Sequence, residues 1–188
     1  MPLGPDNDSN PFNPDCREVS RYHITHAGAT ELEVGAFLAG LARALQPRVV
    51  VETGTSWGDT TIQLAQAVEA NGHGHVITID TSQGKVLKAQ KRLQGLPVRV
   101  LNGDARTYDW STVTKRQVDL AFIDGGTDRR AEFDNLRPFL AAGAFVAFHD
   151  TANYRGPREA VEALHAEGVI GPPLYFPTPR GLALAVVT

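Results

Sequence analysis

Acidic side chains follow five apolar segments of this sequence, and carboxylates in such positions can do several kinds of chemistry. They are Glu52, Asp80, Asp104, Asp124 and Asp150, and His149 directly precedes the last of them. A carboxylate can accept hydrogen bonds from a ribose diol, pair with an ammonium group or bind a divalent cation. Any single one could be a solvated loop residue or a helix cap, but their recurrence predicts a nucleotide-type site.

Glycines four residues apart follow the first apolar segment, in Glu52-Thr-Gly-Thr-Ser-Trp-Gly58. Gly54 would allow a sharp turn, and Gly58 would allow a ligand or the next helix to approach closely. An ordinary strand-to-helix turn gives the same pattern. A dinucleotide fingerprint needs a further glycine where this sequence has Ser56, and Glu52 would repel a pyrophosphate. The turn therefore favours a cofactor that carries positive charge.

The elements that must position these residues alternate between strands and helices. Segments rich in Val and Ile predict strands, and apolar residues at helical spacing predict helices. The predicted strands are 48–52, 76–80, 98–102, 118–124 and 144–149; the predicted helices are 31–47, 59–70, 84–93, 129–140 and 157–167. Residues 105–115 have no assignment. The alternation predicts an α/β fold with a doubly wound, mostly parallel sheet, in which ligands bind at the carboxyl ends of the strands.

Prolines at positions 172, 173, 177 and 179 interrupt the C-terminal part of the chain. They leave room for two short strands, 174–176 and 182–187, joined by a loop at 177–181. Two strands with so short a connection predict an antiparallel hairpin at the end of the parallel sheet.

The length of 188 residues predicts one domain, at 19–188, after an N-terminal arm at 1–18. Four prolines lie within residues 1–15, so we expect this arm to be flexible and to bury nothing. The single cysteine, Cys16, excludes an intrachain disulfide and is interpreted as a free surface thiol.

Charge and hydropathy exclude other classes of partner. A formal net charge of −3 leaves no excess of Lys and Arg for broad nucleic-acid binding. No segment reaches the roughly 18 uninterrupted apolar residues of a membrane helix. The first residues lack the basic and apolar regions of a signal peptide, so we expect no membrane partner and a cytoplasmic location.

The motifs together resemble the class I S-adenosylmethionine-dependent methyltransferases, from about residue 28 to residue 187. The resemblance is carried, in the family's order, by Val51-Glu-Thr-Gly-Thr-Ser-Trp-Gly58, Ile79-Asp80, Gly103-Asp104-Ala105, Leu120-Ala-Phe-Ile-Asp124-Gly and Phe148-His-Asp-Thr151. It implies a Rossmann-like, seven-stranded sheet of order 3-2-1-4-5-7-6. The predicted hairpin would then supply the antiparallel strand 7.

The same resemblance assigns a cofactor role to several positions. The implied S-adenosylmethionine residues are Glu52, Gly54, Thr55, Gly58, Thr60, Asp80, Thr81, Ser82, Asp104, Ala105 and Asp124. Glu52 and Gly54 would line the methionine part, and Thr60 would meet its carboxylate. Asp80 would bind the ribose hydroxyls, and Asp104 the adenine amino group.

Within the class, Ile123-Asp-Gly-Gly126 and Phe148-His-Asp150 look like the small cation-dependent O-methyltransferases. This likeness implies a divalent cation, Mg²⁺ or Mn²⁺, held by Asp124, His149 and Asp150, and methyl transfer to a hydroxyl of a small molecule. Asp124 and His149 would be the catalytic residues. A metal would lower the pKa of the acceptor hydroxyl and orient its oxygen.

One departure leaves the general base open. The small cation-dependent O-methyltransferases commonly carry Lys or His three residues after the acid that corresponds to Asp124. This sequence has Thr127 at that position. The candidate replacements are His149, Asp128, His23 and His26, or the metal alone.

Three other functions stay open at this stage, together with a possible homodimer. They are a metal-independent methyltransferase, a non-catalytic cofactor-binding protein and, less favoured, an NAD-dependent oxidoreductase. The missing base at Thr127 is the feature that favours a non-catalytic protein.

Overall fold

The computed structural model describes residues 1–4, 12–115, 117–126 and 128–188, and its centre is a seven-stranded sheet. The strands are β1 (Val49–Thr53), β2 (His75–Asp80), β3 (Val98–Asn102), β4 (Val118–Ile123), β5 (Leu140–His149), β6 (Leu174–Phe176) and β7 (Leu182–Val186). Their order is β3-β2-β1-β4-β5-β7-β6. β1 to β5 are parallel, and β7 runs antiparallel to both β5 and β6. The predicted fold, strand order and C-terminal hairpin are confirmed.

In the described part of the chain, five α-helices cover the sheet. They are α1 (Leu32–Leu45), α2 (Asp59–Ala70), α3 (Gln83–Arg92), α4 (Arg129–Leu136) and α5 (Arg155–Ala166). α1 and α2 pack on one face of the sheet, and α4 and α5 pack on the other. Because both faces are covered, the β1 residues are all buried, as a continuous apolar strand predicts. Among the described residues no helix is both long and apolar enough to span a membrane.

Element boundaries differ from the predicted ones in the segment between β4 and β5. α4 ends at Leu136, and Arg137–Phe139 form a 3-10 turn instead of a further helical turn. Pro138 explains the difference, since proline has no amide hydrogen for an α-helical bond. β5 then begins at Leu140, earlier than predicted. In the unassigned stretch 105–115, a 3-10 turn carries the fully buried Trp110.

The expectation that the first residues bury nothing is wrong at Leu3. Its side chain is 2% exposed and packs with Ile24 and Ala29. Its amide donates to the Tyr22 carbonyl over 2.7 Å. The contact ties the start of the chain to the segment that precedes α1. Residues 5–11 of the predicted arm lie outside the described residues, and the division of the chain at residue 18 stays a prediction.

Candidate active site

Two adjoining cavities open at the carboxyl ends of β1, β2, β4 and β5. The larger holds about 910 Å³ of empty space, part of it open to solvent, and the smaller holds about 600 Å³. They share lining residues in the turns after β1 and β4 and at the end of β2: Gly54, Asp80, Gly125 and Gly126. An elongated ligand could therefore extend from one cavity into the other.

Nine of the eleven predicted cofactor residues line these cavities. The larger is lined by Glu52, Gly54, Thr55, Thr60, Asp80 and Asp124; the smaller is lined by Gly54, Asp80, Thr81, Asp104 and Ala105. Gly58 and Ser82 line neither. A Cβ on Gly58 would lie 3.2 Å from the Leu93 side chain, so this glycine accommodates the residue that follows α3. Ser82 is the N-cap of α3 and accepts from the Lys85 amide.

Gly54 makes the turn after β1 possible. Its φ of 85° lies in the left-handed region that favours glycine, and a Cβ there would overlap the carbonyl oxygen of Asp124. At Gly54 the backbones of the turns after β1 and β4 are therefore in direct contact. This contact brings Asp124 to the first glycine turn, at the boundary of the two cavities.

Glu52 is a buried carboxylate at the larger cavity, with 1% of its surface exposed. The hydroxyls of Thr61 and Thr78 donate to its Oε2, the latter over 2.7 Å. No ion pair to Glu52 forms within the described parts of the chain, and burial raises its pKa to about 8. A buried acid without a cation fits the ammonium group of the predicted cofactor.

Asp80 has two backbone partners. Its Oδ2 accepts from the Ser56 amide and its Oδ1 from the Ser82 amide, both over 2.8 Å. These bonds hold the glycine turn against the end of β2. Each carboxylate oxygen has a second lone pair, so both can still accept from a ribose diol.

Asp104, in the smaller cavity, is bound by Arg106. The Arg106 guanidinium donates to both carboxylate oxygens, at 2.9 Å to Oδ1 and 2.6 Å to Oδ2. The hydrogen bonds from Arg106 lower the pKa of Asp104, although the pair is largely exposed. An adenine amino group at this position would share Asp104 with Arg106.

The three predicted metal ligands come together at the ends of β4 and β5. His149 Nδ1 lies 3.2 Å from Asp124 Oδ1 and 3.5 Å from Asp150 Oδ1. One potential ligand atom from each residue lies within 4.8 Å of the others. Asp150 has a φ of 62°, a left-handed conformation that Asp tolerates better than most residues.

Arg129, which sequence reasoning missed, binds both carboxylates of this cluster. Its Nη2 lies 2.8 Å from Asp124 Oδ1 and 2.8 Å from Asp150 Oδ2, and its side chain is 4% exposed. Its Nη1 donates to the carbonyl of Gly126. Two like charges so close require a positive partner, and here the guanidinium supplies it. In this arrangement the residues do not fit a resident divalent cation, because a guanidinium already bridges the two acids.

Glu31, also missed, is the second partner of His149. His149 Nε2 lies 2.7 Å from Glu31 Oε2, and the two side chains are 1% and 0% exposed. Burial would lower the pKa of His149, but the carboxylates of Asp124, Asp150 and Glu31 raise it well above 6.5. The surrounding carboxylates therefore favour the protonated form of this imidazole. From the sequence alone, Glu31 stands out only as the first residue of the predicted helix 31–47, and the structure places it at the N-cap of α1.

The two acids of the cluster differ in basicity. Burial would raise the pKa of Asp124, but His149, Arg129 and the Thr30 hydroxyl lower it to about 2. Burial raises the pKa of Asp150, and the negative charge of Asp124 raises it further. Asp150 is thus the stronger proton acceptor of the pair.

Glu132 holds the turn after β4 in place. Its Oε1 accepts from the Gly126 amide over 2.5 Å, and its Oε2 accepts from the Thr53 hydroxyl over 2.6 Å. The Thr53 oxygen in turn accepts from the amides of Asp124 and Gly125. This network links β1, α4 and the turn that contains Asp124. Its residues are far apart along the chain, so the sequence alone does not predict the network.

The remaining candidates for a general base lie elsewhere or are engaged. Thr127 lies outside the described residues. Asp128 is the N-cap of α4 and accepts from the Ala131 amide. His23 is half-exposed beside Glu33. His26 stacks on Trp57 at 3.9 Å, and burial lowers its pKa.

A family model described as a methyltransferase domain matches residues 51–151, from β1 to the turn after β5. The chain belongs to this family. The match and the strand order confirm the prediction of a class I S-adenosylmethionine-dependent methyltransferase, and they give no support to the NAD-dependent alternative.

The methyltransferase domain is similar to two curated proteins. It is 30% identical over 183 residues to the uncharacterized protein y4gI of Sinorhizobium fredii, covering 88% of this chain and 20% of that protein. It is 28% identical over 125 residues to a Mycobacterium protein named "Putative O-methyltransferase", covering 64% of this chain and 56% of that one. The chain thus spans a fifth and about half of the lengths of these two relatives.

Among solved structures, the domain is similar to the O-methyltransferase TomG of Streptomyces achromogenes in complex with S-adenosylmethionine. The TM-score is 0.73 at 24% identity, over 86% of this chain and 82% of that one. At this identity the likeness establishes the fold.

Proposed function

We propose that this methyltransferase domain transfers the methyl group of S-adenosylmethionine to a hydroxyl oxygen of a small molecule. One observation carries the proposal: a single cavity is lined both by Glu52 and Asp80 and by the cluster of Asp124, His149 and Asp150. The family match supports methyl transfer. The TomG and Mycobacterium proteins, both named as O-methyltransferases, support oxygen as the acceptor atom.

The donor half of the site would use the predicted cofactor residues. Bound S-adenosylmethionine supplies an electrophilic methyl group on a sulfonium. Glu52 would pair with its ammonium group, and Asp80 would accept from its ribose hydroxyls. Asp104 and Ala105 would hold the adenine in the smaller cavity. Thr55, Thr60 and Thr81 line the walls between these points.

The acceptor half would use the charged cluster. A hydroxyl must lose its proton before its oxygen can accept a methyl group, and a base for that step must reach the cavity. Asp150 lines the cavity, and its raised pKa makes it a stronger base than Asp124. We assign proton removal to Asp150. His149, predicted as a base, has a pKa that the neighbouring carboxylates raise, so we assign it instead to stabilising the negative charge that develops on the acceptor oxygen.

The acceptor is proposed as a small molecule because the charged cluster lines a concave cavity in which a few polar groups converge, as in small-molecule sites. The absence of nucleic-acid and membrane partners, the homodimer and the cytoplasmic location stay predictions. A non-catalytic cofactor-binding protein is the alternative that the experiment below must exclude.

Turnover measurements on Asp150→Asn test this function. Wild type is incubated with S-adenosylmethionine and a panel of catechols, phenols and sugars, and release of S-adenosylhomocysteine is measured. We expect turnover with a subset of the panel, and at least roughly a 100-fold loss in Asp150→Asn, the usual effect of a lost general base. Affinity for S-adenosylhomocysteine should stay within about two-fold, because Asp150 is not assigned to the donor half.

Asp134→Asn is the matched control, since Asp134 is an exposed acid of α4 that pairs with Arg130. It should keep full turnover. Turnover of Asp150→Asn equal to wild type would remove Asp150 from the reaction. Tight binding of S-adenosylhomocysteine without turnover on any acceptor would favour the non-catalytic alternative.

A further inference from the structure

The position between Asp124 and Asp150 is filled by a side chain of the domain itself. Arg129 is the first residue of α4, and Asp128 caps that helix, so the backbone that carries the guanidinium is fixed by an N-cap bond. Nη2 contacts one oxygen of each acid at 2.8 Å. The oxygen of Asp124 that it contacts, Oδ1, is the same atom that faces His149 Nδ1.

A divalent cation at the cluster would have to share that oxygen with the guanidinium. Protein oxygens bind Mg²⁺ or a similar metal at roughly 2.0–2.2 Å. An ion at that distance from Asp124 Oδ1 would contact Nη2 or displace it. Displacement would require Arg129, which is 4% exposed and also donates to the Gly126 carbonyl, to leave a buried position.

The acids of the cluster already have partners within the protein. The Arg129 guanidinium lies between Asp124 and Asp150, and Glu31 Oε2 lies 2.7 Å from His149 Nε2. The backbone amide of Arg180 also donates to Glu31 Oε1 over 3.2 Å. Because a positive side chain of the protein already bridges them, Asp124 and Asp150 need no further cation to offset their mutual repulsion.

We propose that the guanidinium of Arg129 takes the place of the divalent cation in this methyltransferase domain, which then works without a metal. Arg129 is a positioning residue in this account: it holds Asp124 and Asp150 in place and keeps a positive charge at the acceptor end of the cavity. The expectation of turnover without a metal rests on the proposed function. The metal-binding test below requires neither S-adenosylmethionine nor an acceptor molecule.

Binding of Mn²⁺ to four proteins tests the inference: wild type, Arg129→Met, Arg129→Met/Asp124→Asn, and Arg130→Met as the matched control. Methionine keeps the unbranched apolar part of the side chain and lacks the charged guanidinium. Arg130 is the next residue of α4 and pairs with Asp134 and Glu167 at the surface. Bound and free Mn²⁺ are measured by electron paramagnetic resonance, with melting temperature as a second readout.

We expect wild type and Arg130→Met to bind no Mn²⁺ at millimolar concentration, and wild-type turnover to be unchanged by EDTA. Arg129→Met should bind one Mn²⁺ at least about ten-fold more tightly than wild type, because a repelling positive charge is gone. The added Asp124→Asn change should abolish that binding.

Stoichiometric Mn²⁺ binding by wild type would overturn the inference and restore the predicted metal site. A folded Arg129→Met that binds no Mn²⁺ would also overturn it. The wild-type measurement decides the matter even if Arg129→Met does not fold. Absence of any turnover would count against the proposed function and would leave the Mn²⁺ result unaffected.

Discussion

Nε2 of His149 lies 2.7 Å from Oε2 of Glu31, and both side chains are almost completely buried, although 118 residues separate them along the chain. The bond connects the segment before α1 to the end of β5. It gives His149 a carboxylate on each ring nitrogen, since Nδ1 faces Asp124. The site is therefore organised by a contact between the start of α1 and the end of β5.

Glu31→Gln should strongly destabilise the domain. Loss of one partner of a buried ion pair leaves the other charge uncompensated, which costs about 3–5 kcal/mol in the free energy of unfolding. Denaturant unfolding at neutral pH measures it. Glu33→Gln is the control, because Glu33 is 40% exposed beside His23, and it should change stability by about 0.5 kcal/mol or less. Equal effects of the two substitutions would refute the role of Glu31.

His149 should stay protonated on both ring nitrogens through neutral pH. A pKa raised in the folded state gives stability that is fully present below the unfolded value of about 6.5 and is lost as pH rises through the folded pKa. The stability difference between wild type and His149→Gln should therefore shrink in alkaline solution. Nitrogen-15 spectra of the imidazole check the protonation directly, and a neutral ring at pH 7 would contradict this assignment.

Much of the fold was predictable because the signals are local. Helix α2 and strand β3 have the predicted bounds, since an apolar periodicity and a Val-rich run depend only on neighbouring residues. Pro138 is also a local signal, and it explains why α4 ends at Leu136, before the predicted bound. The prolines around β6, by contrast, correctly indicated the hairpin.

The charged cluster was only half predictable. Asp124, His149 and Asp150 follow strands, so the strand order alone brings them together. Arg129 and Glu31 both reach the cluster from the starts of helices, and a single sequence does not show which long side chains turn inward. The burial of Leu3 was missed for the same reason, since its contacts are with residues 24 and 29 rather than with its neighbours.

Leu3→Ala should lower the free energy of unfolding by about 2 kcal/mol, the lower end for a buried leucine, because its cluster is small. The matched control is Leu87→Ala on α3, where the side chain is 56% exposed, with an expected change of about 0.5 kcal/mol or less. Both are measured by denaturant unfolding. A negligible effect at Leu3 would restore the expectation that the first residues bury nothing.

Binding of S-adenosylmethionine should release a proton from Glu52. With a pKa of about 8 the free carboxyl is mostly protonated at pH 7, and pairing with the donor's ammonium would favour its ionised form. Affinity should therefore rise with pH up to about 8. Calorimetry at pH 7 in buffers of different ionisation enthalpy measures the release, which should disappear in Glu52→Gln. Identical proton release in both proteins would show that it comes from another group.

The most direct test of the whole account is calorimetric titration of S-adenosylhomocysteine into wild type, Asp80→Ala and the control Asp134→Ala. We predict one site with a micromolar Kd, about −7 to −9 kcal/mol, in wild type and the control. Asp80→Ala should lose about 1.5–3 kcal/mol, because the ribose hydroxyls lose a charged acceptor. No binding to folded wild type, or equal affinity in Asp80→Ala, would contradict the assignment of this cavity to the methyl donor.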